Sequence, residues 1–144
     1  MNFDKPSEII KIFSCGVIPV RYDGGWKLLV LRAQNVWDFP KGIVHANEDP
    51  QEAATRETEE ATGITDLDFV FGEDYKETAP YEGNKVARYY AAETRTDEII
   101  LRVAKEIGRP EHNEWRWITC EEAEDFLPPR LANVLEWVCR KINE

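Results

Sequence analysis

The segment from Asp49 to Gly63 constrains the fold most strongly, because its sequence predicts both ends of one helix. Asp49 is a favourable N-cap residue, and Pro50 stands at the first helical position, where a missing backbone N–H removes no hydrogen bond. Glu52 follows Asp49 by three residues, as in a capping box. Gly63 supplies a left-handed C-cap. We therefore predict a helix over residues 50–62.

The predicted inward face of this helix combines small apolar residues with two carboxylates. At about 100° per residue, Glu57 and Glu60 project on the same side as Ala53, Ala54 and Ala61, and the threonines project on the opposite side. Glutamates three residues apart lie about 5–6 Å apart between their Cβ atoms and repel each other. Burial of an unpaired charge is strongly unfavourable, so this face needs an explanation.

Two explanations fit this acidic face. Either the glutamates reach water or pair with Arg56 and another base, or they bind a divalent cation. We favour the cation, because carboxylate oxygens are hard ligands that suit Mg²⁺ or Mn²⁺. Mg²⁺ sites in proteins are commonly completed by substrate phosphates, so the pattern predicts a phosphorylated ligand. The sequence has no Asp-x-Asp-x-Asp-Gly loop of the kind that binds calcium in EF-hands.

Composition excludes several other classes of function. The 144 residues include 28 acidic and 18 basic side chains, and a net charge of −10 argues against binding long nucleic acids. No apolar run approaches the ~20 residues of a membrane span. The N-terminus lacks the apolar region of a signal peptide, so we expect a cytoplasmic protein that binds no membrane. The sequence does not indicate an oligomeric state.

The three cysteines, Cys15, Cys120 and Cys139, are far apart in the sequence. An odd number of cysteines without a Cys-x-x-Cys motif predicts neither a zinc site nor a disulfide framework. We therefore expect buried, reduced thiols.

Strand and helix patterns alternate along the chain, which favours an α/β or α+β class with a mixed sheet between helices. Pro19 predicts that the first strand is an edge strand or contains a bulge. The predicted strands cover residues 12–22, 26–33, 67–72, 85–93 and 115–118, and the later helices cover 121–126 and 129–142. Residues 96–106 fit a strand or a helix, and we favour the strand.

From residue 42 the chain reads GIVHANEDPQEAATRETEEATGI. This segment, residues 42–64, resembles the Nudix box of the Nudix hydrolase superfamily. The matching positions are Gly42, Glu48, Arg56, Glu57, Glu60, Gly63 and Ile64. The resemblance implies a single Nudix domain over residues 1–144, folded as an α/β/α sandwich with a mixed sheet. It also implies Mg²⁺- or Mn²⁺-dependent hydrolysis of a nucleoside diphosphate that is linked to another group.

The segment departs from the Nudix pattern at two positions. Thr58 stands where the pattern has an aliphatic residue, which is a mild change. Ala61 stands where the pattern has the second glutamate of a Glu-Glu pair. The loss of this carboxylate leaves the number of bound metal ions open.

The resemblance also implies roles for individual residues. A divalent cation makes water a usable nucleophile near neutral pH, and a carboxylate can accept the proton. Glu57 is the first candidate for base or ligand, Glu60 and Glu111 are candidates for ligand or base, and Arg56 would orient a glutamate through charge-assisted hydrogen bonds. The implied metal-binding residues are Glu57, Glu60, Glu111, Glu48 and Lys41, the last through its carbonyl oxygen.

Two further segments suggest a substrate. WDFPKG (37–42) resembles a segment of diadenosine tetraphosphate (Ap4A) hydrolases and of RNA 5′-pyrophosphohydrolases, and EHNEWRWI (111–118) resembles a segment of asymmetrical Ap4A hydrolases. Tyr81 is a candidate for stacking on a base, or else covers a small core cluster. Lys85 is a candidate for binding a phosphate, with Lys41 or Arg32 assisting, or else is a solvated residue at a strand end.

We therefore predict that the substrate is a small nucleoside polyphosphate. The first choice is hydrolysis of Ap4A to ATP and AMP. The alternatives are removal of pyrophosphate from the 5′ end of RNA, hydrolysis of nucleoside triphosphates, and a non-catalytic nucleotide-binding module. The last alternative is motivated by Ala61, because a weakened metal site could bind a nucleotide without turnover.

Overall fold

The computed structural model describes residues 5–6, 10, 12–104 and 108–144. The strands are β1 (Ile12–Tyr22), β2 (Trp26–Ala33), β3 (Val36–Asp38), β4 (Gly42–Ile43), β5 (Lys76–Glu77), β6 (Lys85–Glu93), β7 (Val103–Ala104), β8 (Arg109–Pro110) and β9 (Glu114–Ile118). The helices are α1 (Pro50–Thr62), α2 (Cys120–Phe126) and α3 (Ala132–Ile142), and a 3₁₀ turn at Pro129–Leu131 precedes α3. All strands except β7 and β8 belong to one sheet.

Strand β1 is the centre of the sheet. It runs parallel to β6, from the pair Ile12–Lys85 to the pair Val20–Glu93, and antiparallel to β2 and β4. Strands β3 and β9 pair with opposite sides of β2, and β5 extends the other edge beyond β6. Parallel and antiparallel pairs thus occur together, which confirms the predicted mixed sheet.

The alternation of side chains along the strands creates two apolar layers. On one face, Ile18, Val20 and Leu28 pack with residues of α2 and α3. On the other face, Cys15 and Val17 pack with Ala54 of α1. Helices therefore cover both faces, as the predicted α/β/α sandwich requires.

The predicted C-terminal helix is present, with its first turn in 3₁₀ form. The apolar stripe along it is buried against the sheet, as its periodicity predicts. This stripe consists of Leu131, Val134, Leu135, Val138 and Ile142. None of the helices in the described ranges is long and apolar enough to cross a membrane.

Three predictions about strands are wrong. Residues 67–72 form only a single bridge, between Asp68 and Glu93, because the segment packs Leu67 and Phe69 under the sheet without running along a strand. Of the described residues in 96–106, only Val103 and Ala104 pair with another strand, as β7. Residues 105 and 106 lie outside the described ranges. Pro19 lies in the central strand, and the ladder with β2 begins one residue later, at Val20.

The cysteine prediction is also wrong for two of the three residues. Cys120 at the start of α2 and Cys139 in α3 form a disulfide, with 6.2 Å between their Cα atoms. The packing of α2 on α3 creates this proximity, which a sequence separation of 19 residues does not reveal. Cys15 is a free, buried thiol as predicted, and burial raises its pKa to about 12.

We expect the Cys139→Ser variant to be less stable than the oxidised wild type. A disulfide that closes a loop of this length typically contributes about 2–4 kcal/mol to the free energy of unfolding. Denaturant titrations of the wild type, with and without reductant, measure the difference. Reductant should leave the Cys139→Ser variant unchanged. Equal stability of the oxidised wild type and the variant would contradict the prediction.

Candidate active site

Helix α1 begins and ends at the predicted residues. The Asp49 side chain accepts a hydrogen bond from the Glu52 backbone N–H at 3.2 Å, and Pro50 follows it at the first helical position. Gly63 has φ of 77°, a left-handed conformation in which glycine carries no steric penalty, and its N–H reaches the Glu59 carbonyl. These caps set the position of every acidic side chain on the helix.

The inward face of α1 is rotated from the predicted one, because Thr58 and Thr62 are fully buried. Their hydroxyl groups are satisfied. Thr58 Oγ1 accepts a hydrogen bond of 3.0 Å from the Val17 backbone N–H of β1, and the Thr62 hydroxyl donates to the Thr58 carbonyl at 2.7 Å. The predicted face is wrong because the polarity of threonine indicates an exposed side chain, whereas these two side chains are buried. Glu57 and Glu60 consequently lie at the margin of the buried face, with 18% and 40% of their side chains exposed.

Gly42 allows the Glu57 carboxylate to lie directly on β4. A Cβ atom at residue 42 would overlap the Glu57 side chain. The same strand pairs with β1 through Gly42 and Cys15, so the sheet fixes the surface against which the carboxylate rests. Glycine is therefore required here for a close approach and not for a turn.

Arg56 links the acidic residues of the segment. Its Nε and Nη2 bind the two carboxylate oxygens of Glu48 at 2.8 and 3.0 Å, and Nη1 lies 2.7 Å from Glu57 Oε1. The contact with Glu60 Oε2 is longer, at 3.5 Å, and Arg102 binds that oxygen at 2.7 Å. Glu57 and Glu60 are thus both paired with arginine, which is the alternative to metal binding that the sequence leaves open.

The bidentate contact between Arg56 and Glu48 dominates the electrostatics of this network. Hydrogen bonds from Arg56, with a smaller contribution from the His45 backbone N–H, lower the pKa of the Glu48 carboxyl to about 2. The same contact raises the pKa of Arg56. Glu48 and Arg56 are therefore both charged at neutral pH, and Glu48 holds the arginine that orients Glu57.

A small chamber of about 20 Å³ lies beside this network, with room for about one water-sized species. Its walls are Lys41, Glu57, Ala61, Arg102, Glu111 and His112. The fold thus brings together Glu57 from α1 and Glu111 from the segment before β9. Burial lowers the pKa of His112, so its imidazole is neutral at pH 7.

The donors on this chamber fit a divalent cation that is completed by a ligand. Across the described residues, no three acidic, histidine or cysteine side chains are placed to hold a metal ion by themselves. Two carboxylates, Glu57 and Glu111, face the chamber together, and Mg²⁺ is commonly bound by one or two carboxylates plus substrate phosphates. Glu48 and Glu60 are not among the chamber walls, and Ala61 occupies the wall without offering an oxygen.

The predicted substrate residues separate into two groups. Lys41 lines the chamber, and its Nζ lies 3.1 Å from Asp38 Oδ2. The same carboxylate oxygen binds Arg130. The guanidinium carbon of Arg130 is 4.6 Å from the centre of the Tyr81 ring. Lys41 and Tyr81 therefore belong to a connected cluster. Tyr81 also packs against the α2/α3 core, as its alternative interpretation predicts, and stacking on a base stays a prediction.

Lys85 and Arg32 lie outside this cluster in the structure. Lys85 Nζ contacts Glu82 at 3.4 Å and is partly exposed at the start of β6. Arg32 binds Glu114 at 3.0 Å and lies 5.9 Å from the centre of the Trp37 ring. Both lysine and arginine have carboxylate partners that compete with a phosphate.

Sequence reasoning missed three residues of the site. Asp38 and Arg130 are 92 residues apart, and no local pattern connects them. The pattern around Arg102 predicts only a strand or a helix and gives no sign that its guanidinium reaches Glu60. A signal was available for Asp38, because an acidic residue between Trp37 and Phe39 in an apolar stretch needs a buried partner.

A larger groove, of about 740 Å³, runs between α2 and α3. It is lined mainly by apolar residues of these helices and by the disulfide, and none of the predicted site residues lines it. The chamber and the Asp38 cluster, where charged groups converge, are the better candidates for chemistry.

Comparison with known proteins agrees with the geometry. The NUDIX domain model matches residues 13–138. The chain belongs to the Nudix hydrolase family. An asymmetrical bis(5′-nucleosyl)-tetraphosphatase of Caenorhabditis elegans is 33% identical to this Nudix hydrolase over 114 residues, covering 74% of this chain and 78% of the relative. An RNA pyrophosphohydrolase of Halorhodospira halophila is 32% identical over 117 residues, covering 72% and 64%.

Solved structures confirm the Nudix fold. The structure of a C. elegans Ap4A hydrolase binary complex superposes with a TM-score of 0.71 at 24% identity, covering 92% of this chain and 95% of that one. The NUDIX domain of Shewanella oneidensis NrtR in complex with ADP ribose superposes with a TM-score of 0.67 at 12% identity, covering 91% and 88%. The predicted fold class is therefore correct.

We expect the Glu57→Gln variant of this Nudix hydrolase to lose about 10²-fold or more in kcat, because the amide cannot accept a proton or bind a cation as a carboxylate does. Steady-state kinetics and thermal unfolding measure activity and folding separately. Glu59→Gln is the matched control on the same helix, and its activity should stay near the wild-type level. An active Glu57→Gln variant would contradict the assignment.

We expect the Ala61→Glu variant to bind more Mn²⁺ than the wild type, because it adds a carboxylate to the chamber wall. Titration of free Mn²⁺ by electron paramagnetic resonance gives the number of ions bound and their affinities, independently of activity. Thr55→Glu makes the same charge change elsewhere on α1. An equal increase in both variants would show a general charge effect and contradict the prediction.

Proposed function

We propose that this Nudix hydrolase cleaves a dinucleoside polyphosphate such as Ap4A, with Mg²⁺ or Mn²⁺, to ATP and AMP. The main support is that a pair of carboxylates and a pair of cations are connected through Lys41. We call the region that consists of the chamber and the Asp38 cluster the cleft. Glu57 and Glu111 face the chamber, and Lys41 stands between the chamber and the Asp38 carboxylate that also binds Arg130. Such a cleft suits a ligand that has several phosphates between a cation site and a nucleoside.

In the proposed reaction, water attacks one phosphorus of the polyphosphate, and the bond from that phosphorus to a bridging oxygen breaks. A bound divalent cation would supply charge stabilisation and a lowered pKa of water. Glu57 or Glu111 accepts the proton from the attacking water. The water oxygen stays on the attacked phosphorus, and the bridging oxygen leaves on the other nucleotide.

The other residues of the site orient the reacting groups. Arg56 holds Oε1 of Glu57 at 2.7 Å and is itself held by Glu48, so the carboxylate has a fixed position against Gly42. Lys41 is a cation on the chamber wall that can pair with the phosphate chain. Glu111 and Lys41 would hold the metal ion with Glu57, the lysine through its carbonyl oxygen.

RNA 5′-pyrophosphate removal is the second candidate. The similarity to the Halorhodospira relative named RNA pyrophosphohydrolase supports it. The net charge of −10 favours the small molecule, because a long RNA binds more strongly to a basic surface. A short 5′ end is compatible with the same cleft.

A substrate panel with product identification tests the proposal. The protein is incubated with Ap4A, 5′-triphosphorylated RNA, nucleoside triphosphates and nucleoside diphosphate conjugates, with Mg²⁺, Mn²⁺ or EDTA. We expect the highest kcat/KM for Ap4A, with ATP and AMP as products and no turnover in EDTA. The Glu57→Gln variant controls for contaminating hydrolases.

Two results would contradict the proposal. A higher kcat/KM for triphosphorylated RNA would make RNA the substrate. Release of two ADP molecules from Ap4A would mean that water attacks the central linkage, so that the polyphosphate lies in the cleft in a different register.

A further inference from the structure

Arg130 carries a buried donor that the described protein atoms do not satisfy. Its Nη1 atom is shielded from solvent and has no hydrogen-bond acceptor among the described residues. Nη2 of the same guanidinium binds Asp38 Oδ2 at 2.9 Å. Leaving a charged donor unpaired in the interior is costly, so such a group indicates a position where an acceptor belongs.

The charges around Arg130 point to an anionic acceptor. Asp38 Oδ2 lies between two cations, Arg130 Nη2 and Lys41 Nζ at 3.1 Å. The remaining acceptor capacity of Asp38 is engaged, because its Oδ1 accepts from the Tyr89 hydroxyl at 2.7 Å and from the Phe39 N–H at 2.6 Å. One carboxylate against two cations leaves one positive charge in this cluster.

The protonation states of Asp38 and Tyr89 agree with a net charge of one positive unit in this cluster. Burial by itself raises the pKa of Asp38, but Lys41 and Arg130 outweigh burial and lower it below the usual range. Burial raises the pKa of Tyr89 well above its usual value, so the phenol stays protonated and donates to Asp38. Asp38 is therefore anionic, and it holds both cations in place at neutral pH.

The Tyr81 ring covers one face of the Arg130 guanidinium. Tyr81 precedes a turn in which Glu82, Gly83 and Asn84 have φ of 40°, 79° and 72°, and backbone hydrogen bonds between Tyr81 and Lys85 close that turn. The turn thus fixes the backbone of Tyr81 next to Arg130. Rotation of the ring away from Arg130 would uncover the guanidinium.

We propose that Arg130 binds a phosphate of the nucleoside polyphosphate through Nη1, at the end of the cleft remote from α1. This inference rests on the proposed function, because it assigns a residue to the same substrate. Tyr81 leaves the guanidinium face as the nucleotide enters, and its ring stacks on the base. Asp38 is the positioning residue that presents Arg130 and Lys41 to the same phosphate chain.

Calorimetric titration of ATP and adenosine tests Arg130 without requiring turnover. The titrations are made with Mg²⁺, and chromatography confirms that ATP stays intact. We expect Arg130→Lys to weaken ATP binding about tenfold, as for the loss of one charge-assisted hydrogen bond, and to change adenosine binding less than about twofold. Lysine keeps the charge next to Asp38 and removes the second guanidinium nitrogen.

Arg116→Lys is the matched control. Arg116 also lies over aromatic rings, 5.4 Å from the centres of Trp37 and Phe126, and pairs with a carboxylate, Glu114. We expect both ligands to bind this variant as they bind the wild type. Equal weakening of ATP and adenosine by Arg130→Lys would show that Arg130 only supports Tyr81, and would overturn the proposal, as would unchanged binding of ATP.

A crystal structure of the wild type with ATP tests the same contact if Arg130→Lys does not fold. A phosphate oxygen within about 3 Å of Nη1 is expected, and phosphates bound elsewhere would overturn the inference. Failure of the proposed function gives a different result. A wild type that binds ATP through Arg130 but releases no ATP and AMP from Ap4A contradicts the hydrolysis and leaves the contact intact.

Discussion

The docking of α1 on β1 and β4 is the contact on which the rest of the site depends. Thr58 Oγ1 accepts a hydrogen bond from a backbone N–H in the middle of the central strand, and Gly42 leaves room for the Glu57 carboxylate on the neighbouring strand. A polar anchor inside the core fixes the rotation of the helix more strictly than an aliphatic side chain, because a hydrogen bond is directional. An aliphatic residue at Thr58 would leave the Val17 N–H without this acceptor.

The acidity of the chain has a different meaning once the site is known. Residues 41–64 contain six acidic and two basic side chains and contribute −4 of the net charge of −10. By itself this charge opposes a polyphosphate. A divalent cation bound at Glu57 and Glu111 would reverse the local sign of charge, and Arg56 and Arg102 neutralise part of the acidic surface. The acidic segment is therefore compatible with a phosphate-rich ligand.

Sequence patterns predicted the parts of the fold that local chemistry decides. The caps of α1, the first two strands and the apolar stripe of α3 lie at or near their predicted residues, because each depends on neighbours within a few positions. The inward face of α1 was misjudged, since polarity scales place threonine outside and cannot show that its hydroxyl finds a partner in the sheet. The Cys120–Cys139 disulfide and the Asp38–Arg130 contact join distant segments, which only the tertiary fold brings together.

The two ends of the cleft, the α1 network and the Asp38 cluster, have opposite charge. At the α1 end, two arginines restrain glutamates, so added positive charge is tolerated there. At the other end, one buried carboxylate, Asp38, restrains two cations, so added negative charge is tolerated. A polyphosphate that carries a divalent cation on one part of its chain fits these two ends in one orientation only, with the cation at the α1 end and the free phosphates at the Asp38 cluster. For the proposed polyphosphate substrate this charge pattern favours one orientation, with Lys41 between the two ends.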